Sequence, residues 1–318
     1  MNKQFSKFLD KFGTIFSFAV VWIIFCILSP HFRTGNNFVN ILIQISPLLV
    51  SALGMTFVNM AGESDLSIGG TFGLCTTLFC LLLQKNINPF LSVLITIAAS
   101  LVIGLLNGYL IAYRKMSSFI VTVGTMFIAM GIERTLNGGF SIWIRNDDVL
   151  EFSGGSTLGI PNLIIVSVVF FISVYFVLHQ TKYGSHIQSV GENLETANLA
   201  GIAVKKLKFG TFLIASSFYA VGGILYALRG SGAICYAGQK VLLPVMAITF
   251  IGKTFLGYKR PNVIGIYIGT LILGAISNAF TLIGIEFYFT PIAQGIVLAL
   301  AAAVSSANKD YILQEKLD

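Results

Sequence analysis

Few places in this sequence set reactive residue types at a spacing that could support chemistry. Gly62-Glu63-Ser64 loosely resembles a serine-nucleophile motif, but His31, His179 and His186 all fall outside the apolar runs, so no histidine base is within reach. Gly252-Lys253-Thr254 ends like a phosphate-binding loop. Position 247, however, is Ala where that loop needs glycine, and the flanking run is apolar, so ATP must bind elsewhere. Glu63 and Asp65 are the one close acidic pair beside an apolar run, the arrangement an ion-coupled secondary transporter would use for a cation or proton. Cys26, Cys75, Cys80 and Cys235 have no paired metal-ligand spacing and read as small core residues. What remains is neutral. Asn107, Thr122, Thr125, Ser277 and Asn278 sit within apolar runs, and Ser67 at the edge of one. Such groups can offer a sugar hydroxyl a hydrogen bond as it leaves water, or bond helix to helix for on the order of 0.6 kcal/mol.

The elements that must position these groups are membrane helices. Of 318 residues, 55% are hydrophobic and only 10% charged, with a mean hydropathy of +0.85, too few charges to cover a water-exposed surface of this size. Apolar segments at 13–29, 39–60, 66–83, 89–112, 118–136, 163–178, 208–229, 241–257, 262–283 and 289–307 approach the roughly 20 residues a span needs. The fold expected is therefore all-α, a polytopic membrane helix bundle of about ten transmembrane helices forming one domain over 1–318. Glu133, Arg134 and Lys253 interrupt the segments at 118–136 and 241–257. The first run lacks a small-x-small cleavage site after it and reads as a span.

With the N-terminus inside, ten spans leave only Arg33, Lys85, Arg134, Arg145, Arg229 and Lys240 of the 20 basic residues outside. The net charge of +7 thus reflects topology; the basic residues form no stripe for nucleic acid, and the partner of this surface is membrane lipid. Gly69/Gly73, Gly104/Gly108 and Gly265/Gly269 have the four-residue spacing that lets helices approach closely. Asp65, flanked by Ser64 and Ser67 before the run at 66–83, is expected to cap a helix that begins at membrane depth.

Two stretches outside the runs have length. The segment 137–162, rich in Gly, Asn, Ser and Asp, is expected to be an external loop with partial structure. The cytoplasmic loop 179–207 contains a short helix with marked ends: Glu192 and Glu195 suit its positive N-terminus, Asn193 can cap it, and Gly201 can stop it. Leu194, Ala197 and Ala200 then share a small apolar face suited to another protein's groove.

At these residues the chain resembles a family, the membrane permease subunits of bacterial ribose-type ABC importers, which also carry other monosaccharides and autoinducer-2. The matches run over nearly the whole length: Ser29-Pro30, Asn36-Asn37, Asn40-Ile41-Leu42, Gly54-Met55-Thr56, Asp65-Leu66-Ser67-Ile68-Gly69 and Asn107-Gly108. Phe119-Ile120-Val121-Thr122-Val123-Gly124-Thr125-Met126, the 191–202 segment, and Gly265 to Asn278 with Leu271-Ile272-Leu273-Gly274 continue them. The resemblance implies that 191–202 is the coupling helix contacting a cytoplasmic ATP-binding subunit. It further implies an extracytoplasmic solute-binding protein, a second permease subunit, identical or different, and a bacterial cytoplasmic membrane with both termini inside. This chain would bind no cofactor of its own, ATP and Mg belonging to the ATPase subunits. The sequence departs from the family pattern at Glu63-Ser64, Ser117, Leu242-Leu243-Pro244 and Gly252-Lys253-Thr254. A passive channel and an ion-coupled carrier are the remaining readings, and the carrier would not need the 191–202 helix.

Overall fold

The computed structural model describes residues 18–254, 262–286 and 288–299. Along these the chain forms α1 (Phe18–Leu28), α2 (Gly35–Met60), α3 (Ile68–Gln84), α4 (Pro89–Ala112), α5 (Ser118–Asn137) and α6 (Asp147–Gly154). There follow α7 (Asn162–Gln180), α8 (Lys182–Glu192), α9 (Leu194–Leu199), α10 (Val204–Arg229), α11 (Ala237–Thr254), α12 (Val263–Ile283) and α13 (Phe289–Ala299). Where they are described, the ten apolar segments fall on helices; residues 13–17, 255–257 and 300–307 of three of them lie outside the described residues. The molecule is an all-α membrane bundle. Among the described residues six helices, α2, α4, α5, α7, α10 and α12, are long and apolar enough to cross a bilayer. The charged residues do not break α5, which runs through Glu133 and Arg134.

Asn side chains start several of these helices, because a short amide can accept a main-chain N–H that has no partner one turn back. Asn88 Oδ1 accepts from Phe90 N at 2.9 Å, followed by Pro89 in the first turn of α4. Asn146, Asn193 and Asn262 do the same for α6, α9 and α12. The 137–162 segment has the partial structure expected. Besides α6 it carries β1 (Ile142–Trp143), which pairs antiparallel with β4 (Gly232–Ala233), and the hairpin of β2 (Ser156–Thr157) with β3 (Ile160–Pro161).

The chain divides into two compact units, one of residues 46–242 and one of 1–45 with 243–318. It crosses between them inside α2 and inside α11, in each case just before an internal proline, Pro47 or Pro244, where a helix loses one main-chain hydrogen bond.

Packing in the 46–242 unit inverts the pattern of a soluble protein. On α4 the buried positions are Ser92, Thr96, Ser100, Gly104, Asn107, Gly108, Ile111 and Ala112, while Phe90, Leu94, Val102, Leu105 and Leu106 are exposed. Lipid solvates the large apolar side chains, so the helix interface selects small residues that bring backbones together. Gly104 and Gly108 lie against Phe212, Ser216 and Phe209 of α10, and Ser100 Oγ donates to the Ser216 carbonyl at 2.5 Å. Gly69 and Gly70 lie against Met126 and Ala129 of α5 in the same way.

In the other unit, Phe32, Ile41, Ile45, Leu271, Ala275 and Ala279 form the core, with Trp22 edge-on to Phe32 at 5.0 Å. Gly269 of α12 meets Ile248 and Ile251 of α11.

A Gly104→Leu change should lower stability in detergent by about 1–3 kcal/mol, since its Cβ overlaps Ser216 Oγ and the Phe212 carbonyl stands close behind. Gly124→Leu, with nothing within 4 Å of the added Cβ, should leave the thermal unfolding midpoint unchanged or raise it. Equal shifts for the two variants would show that close packing of α4 on α10 is not what the glycine serves.

Candidate functional site

The 61–67 connection between α2 and α3 gathers most of the polar residues singled out in the sequence. Two residues past the end of α2, Gly62 adopts φ +79°, so that Glu63 N–H turns back to the Val58 carbonyl at 3.1 Å. Beyond that point the backbone is not helical, and its donors find side chains. Ser64 N–H donates to Ser118 Oγ at 3.3 Å and Leu66 N–H to Thr122 Oγ1 at 3.1 Å, tying the connection to α5. Asp65 is 4% exposed. Its Oδ1 accepts Ser67 N–H at 2.9 Å and the Ser67 hydroxyl at 2.6 Å, and its Oδ2 accepts the Tyr219 hydroxyl of α10 at 3.1 Å.

The expected capping bond is present but offset: Ser67, which adjoins α3, is itself in helical geometry and makes no side-chain cap bond, and Asp65, two residues earlier, accepts its N–H. The carboxylate serves a structural joint of α3, α10 and the connection, with both oxygens engaged.

Thr122 links this joint to the next polar pair. Its hydroxyl donates to the Ser118 carbonyl at 2.7 Å, and one turn on Thr125 Oγ1 donates to Asn107 Oδ1 of α4 at 2.9 Å. Asp65, Ser67, Thr122, Thr125 and Asn107 are therefore brought into one hydrogen-bonded succession across α3, α5 and α4, in which each bond joins structure to structure. Ser277 and Asn278 belong to the other unit. There Asn278 Oδ1 accepts Asn37 Nδ2 at 2.9 Å, and Ser277 Oγ accepts from Gln294 Nε2 at 3.4 Å.

The 191–202 segment has the short helix expected, running over Leu194–Leu199 between the expected cap Asn193 and the expected stop Gly201. Asn193 Oδ1 accepts Thr196 N–H at 3.0 Å, and Gly201 adopts φ +76° after α9. Glu192 is the last residue of α8, where its carboxylate accepts from Gln188 Nε2 at 2.9 Å; Glu195 lies in the first turn of α9. The shared apolar face is split, however. Ala197 is 2% exposed and packs with Val190, Val204, Ile202 and Leu207, while Leu194 and Ala200 are exposed and Leu199 is 84% exposed. A six-residue helix cannot stand without a support, and α8 and α10 supply one through Ala197.

Three participants lie outside the site residues expected from the sequence. Tyr219 lies 154 positions from the acid it serves. Lys208 pairs with Glu63 at a similar remove. Glu133 of α5, interrupting an apolar run, is 3% exposed, lies against Gly73 of α3 and leaves Oε1 without a partner. The interruption itself was the available signal for Glu133. The first two had none, because nothing in a linear sequence links positions so far apart.

Gly252 and Lys253 lie within α11, and Lys253 Nζ sits 5.1 Å from the Phe250 ring centroid, a setting without the strand-to-helix turn of a phosphate loop. Among the described residues no cluster of His, Cys, Asp or Glu could hold a metal ion. The arrangement orders helices through hydroxyl and amide hydrogen bonds, the Asp65 carboxylate and the Lys208–Glu63 pair.

A family model described as "Branched-chain amino acid transport system / permease component" matches residues 37–304. The ribose import permease protein of Escherichia coli (strain K12) is 29% identical over 313 residues, covering 97% of this chain and 98% of its own length. That of Bacillus subtilis (strain 168) is 30% identical over 300 residues, 94% and 93% of the two chains. The D-allose transport system permease protein of Escherichia coli (strain K12) is 28% identical over 303 residues, 95% and 93%.

Tyr219→Phe should cost about 1–3 kcal/mol by removing a buried donor to a carboxylate, and Asp65→Ala more, because Ser67 and Tyr219 both lose their acceptor. Combining the two should add little beyond Asp65→Ala alone in detergent unfolding. Fully additive losses would show that the two side chains do not interact.

Proposed function

The chain belongs to the permease-component family of that description, and from this premise we propose that it is the membrane subunit of a binding-protein-dependent ABC importer for a monosaccharide such as ribose or a related small polar solute. The observation that carries the reading is end-to-end similarity: relatives whose names state ribose or D-allose transport align with 94% or more of this chain. The family description mentions branched-chain amino acids, but the full-length relatives named for sugars are the more specific guide to the solute. The hydrogen-bonding side chains of the interior suit a polyhydroxylated solute better than a branched apolar one.

In this reading the chain crosses a bacterial cytoplasmic membrane about ten times with both termini inside. It forms one permease domain, pairs with a second permease subunit, and receives solute from an extracytoplasmic binding protein. ATP and Mg bind to separate cytoplasmic ATPase subunits, which drive alternating access. The segment 179–207 is the coupling loop, and α9 with its flanks presents Leu194, Leu199 and Ala200 to the ATPase. Ala197, with Glu192, Asn193, Glu195 and Gly201, builds and supports that surface. Asp65, Ser67, Asn107, Thr122 and Thr125, with Ser277 and Asn278, line or shape the path. Their bonds to one another are exchangeable, since a hydroxyl of the solute can replace a hydroxyl of the protein at little net change.

Reconstituted with its ATPase and binding protein, the complex should accumulate labelled D-ribose or D-allose, but not L-leucine, when ATP is hydrolysed. Uptake that survives removal of the ATPase and is abolished by an uncoupler would instead establish ion coupling. Leu199→Asp should weaken co-purification of the ATPase about ten-fold while leaving the permease folded, whereas Ala197→Arg should lower its unfolding midpoint as well. Retention of ATPase by Leu199→Asp would remove α9 as the contact.

A further inference from the structure

We infer that Glu63 and Lys208 are coupling residues, whose ion pair clasps the 61–67 connection to the α8–α9–α10 corner so that a displacement of α9 reaches Asp65 and Thr122. The inference rests on the proposed role of α9 as the ATPase contact and adds the route by which its movement is used.

Two independent contacts join the corner to the connection. The first is steric. Gly191, next to last in α8, lies so close to the end of α2 that a Cβ there would overlap the Met60 carbonyl and stand 3.1 Å from Gly62 N. Only glycine permits this backbone-on-backbone approach, and it leaves no side chain to absorb a shift. The second is electrostatic. Lys208 Nζ contacts Glu63 Oε1, each side chain 17% exposed, so water screens the pair less than it would at an open surface.

The corner itself is a single packed piece. Val190 of α8, Ala197 of α9 and Val204 of α10 share one buried cluster, so α9 cannot move without carrying Gly191 and the base of α10. Lys208 and Tyr219 are eleven residues apart, about three helical turns, and so lie on one stripe of α10. That stripe holds the connection by both of its acids, Glu63 through Lys208 and Asp65 through Tyr219.

On its far side the connection is bonded through its backbone to Ser118 and Thr122 of α5. A push at α9 therefore arrives at three helices through a seven-residue segment, and the Glu63 clasp decides whether that segment follows or slips. Ser67 and Asp65 fix its shape, and Glu63 fixes what it is attached to.

The test uses the complete complex in proteoliposomes, with Cys26 and Cys235 replaced by Ala and the exposed Ser64 changed to Cys as a maleimide reporter. Adding ATP and Mg should change the labelling rate of this cysteine. Glu63→Gln and Lys208→Met should each reduce that response about five-fold, within the span of residue-level coupling effects. Glu63→Lys combined with Lys208→Glu should restore it, while co-purification of the ATPase stays constant throughout. A full response in both single variants, or a docked charge-swapped complex that does not recover, would overturn the clasp. No nucleotide response in the unmodified complex would overturn transmission through the connection but leave ATPase docking standing. Failure of the ATPase to co-purify at all would overturn the parent reading as well.

Discussion

A helix that ends leaves main-chain donors and acceptors without partners one turn away, and the arrangement around residues 61–67 answers that constraint. The N–H groups of Glu63, Ser64, Leu66 and Ser67 each find an acceptor, in turn the Val58 carbonyl, Ser118, Thr122 and Asp65. Because three of the four acceptors are side chains, and two of those come from α5, satisfying the backbone also fixes α5 against α3. The burial of Asp65 follows from the same demand. A carboxylate placed there is tolerable only with its oxygens occupied, and Ser67 with Tyr219 occupies them.

The small residues of α3 and α4 follow from the solvent. Where lipid gives no hydrophobic reward for helix association, contact must come from close backbone approach and from short hydrogen bonds across it. Gly104, Gly108 and Ser100 on α4 supply both against α10, and Gly69 and Gly70 bring α3 to α5. A bundle held in this way is stiff within each packed pair and weakest where a proline interrupts a helix, as at Pro47 and Pro244. Stiff pairs joined at defined points can convey a displacement at one end into a rearrangement at the other.

The corner of α8, α9 and the base of α10 illustrates how a surface is prepared for a partner. Exposed Leu194, Leu199 and Ala200 are affordable only because Ala197 anchors the short helix from beneath. A face uniformly apolar and uniformly outward would have had nothing to hold it. The division of one small helix into a buried anchor and an exposed contact is a tertiary arrangement, invisible in a count of apolar residues.

By itself the sequence determined the solvent, the helical class and the position of nearly every helix, because hydropathy acts over about twenty residues and is a local property. It also determined the ends of α9, since Asn193 and Gly201 act within a turn of where they stand. Tertiary structure alone decided the partners of the polar groups. Asp65 meets Tyr219, Thr125 meets Asn107, Asn37 meets Asn278 and Glu63 meets Lys208 across separations that no periodicity encodes. Side-chain chemistry announces that a buried group needs a partner; only the packing of helices chooses which one is near enough to serve.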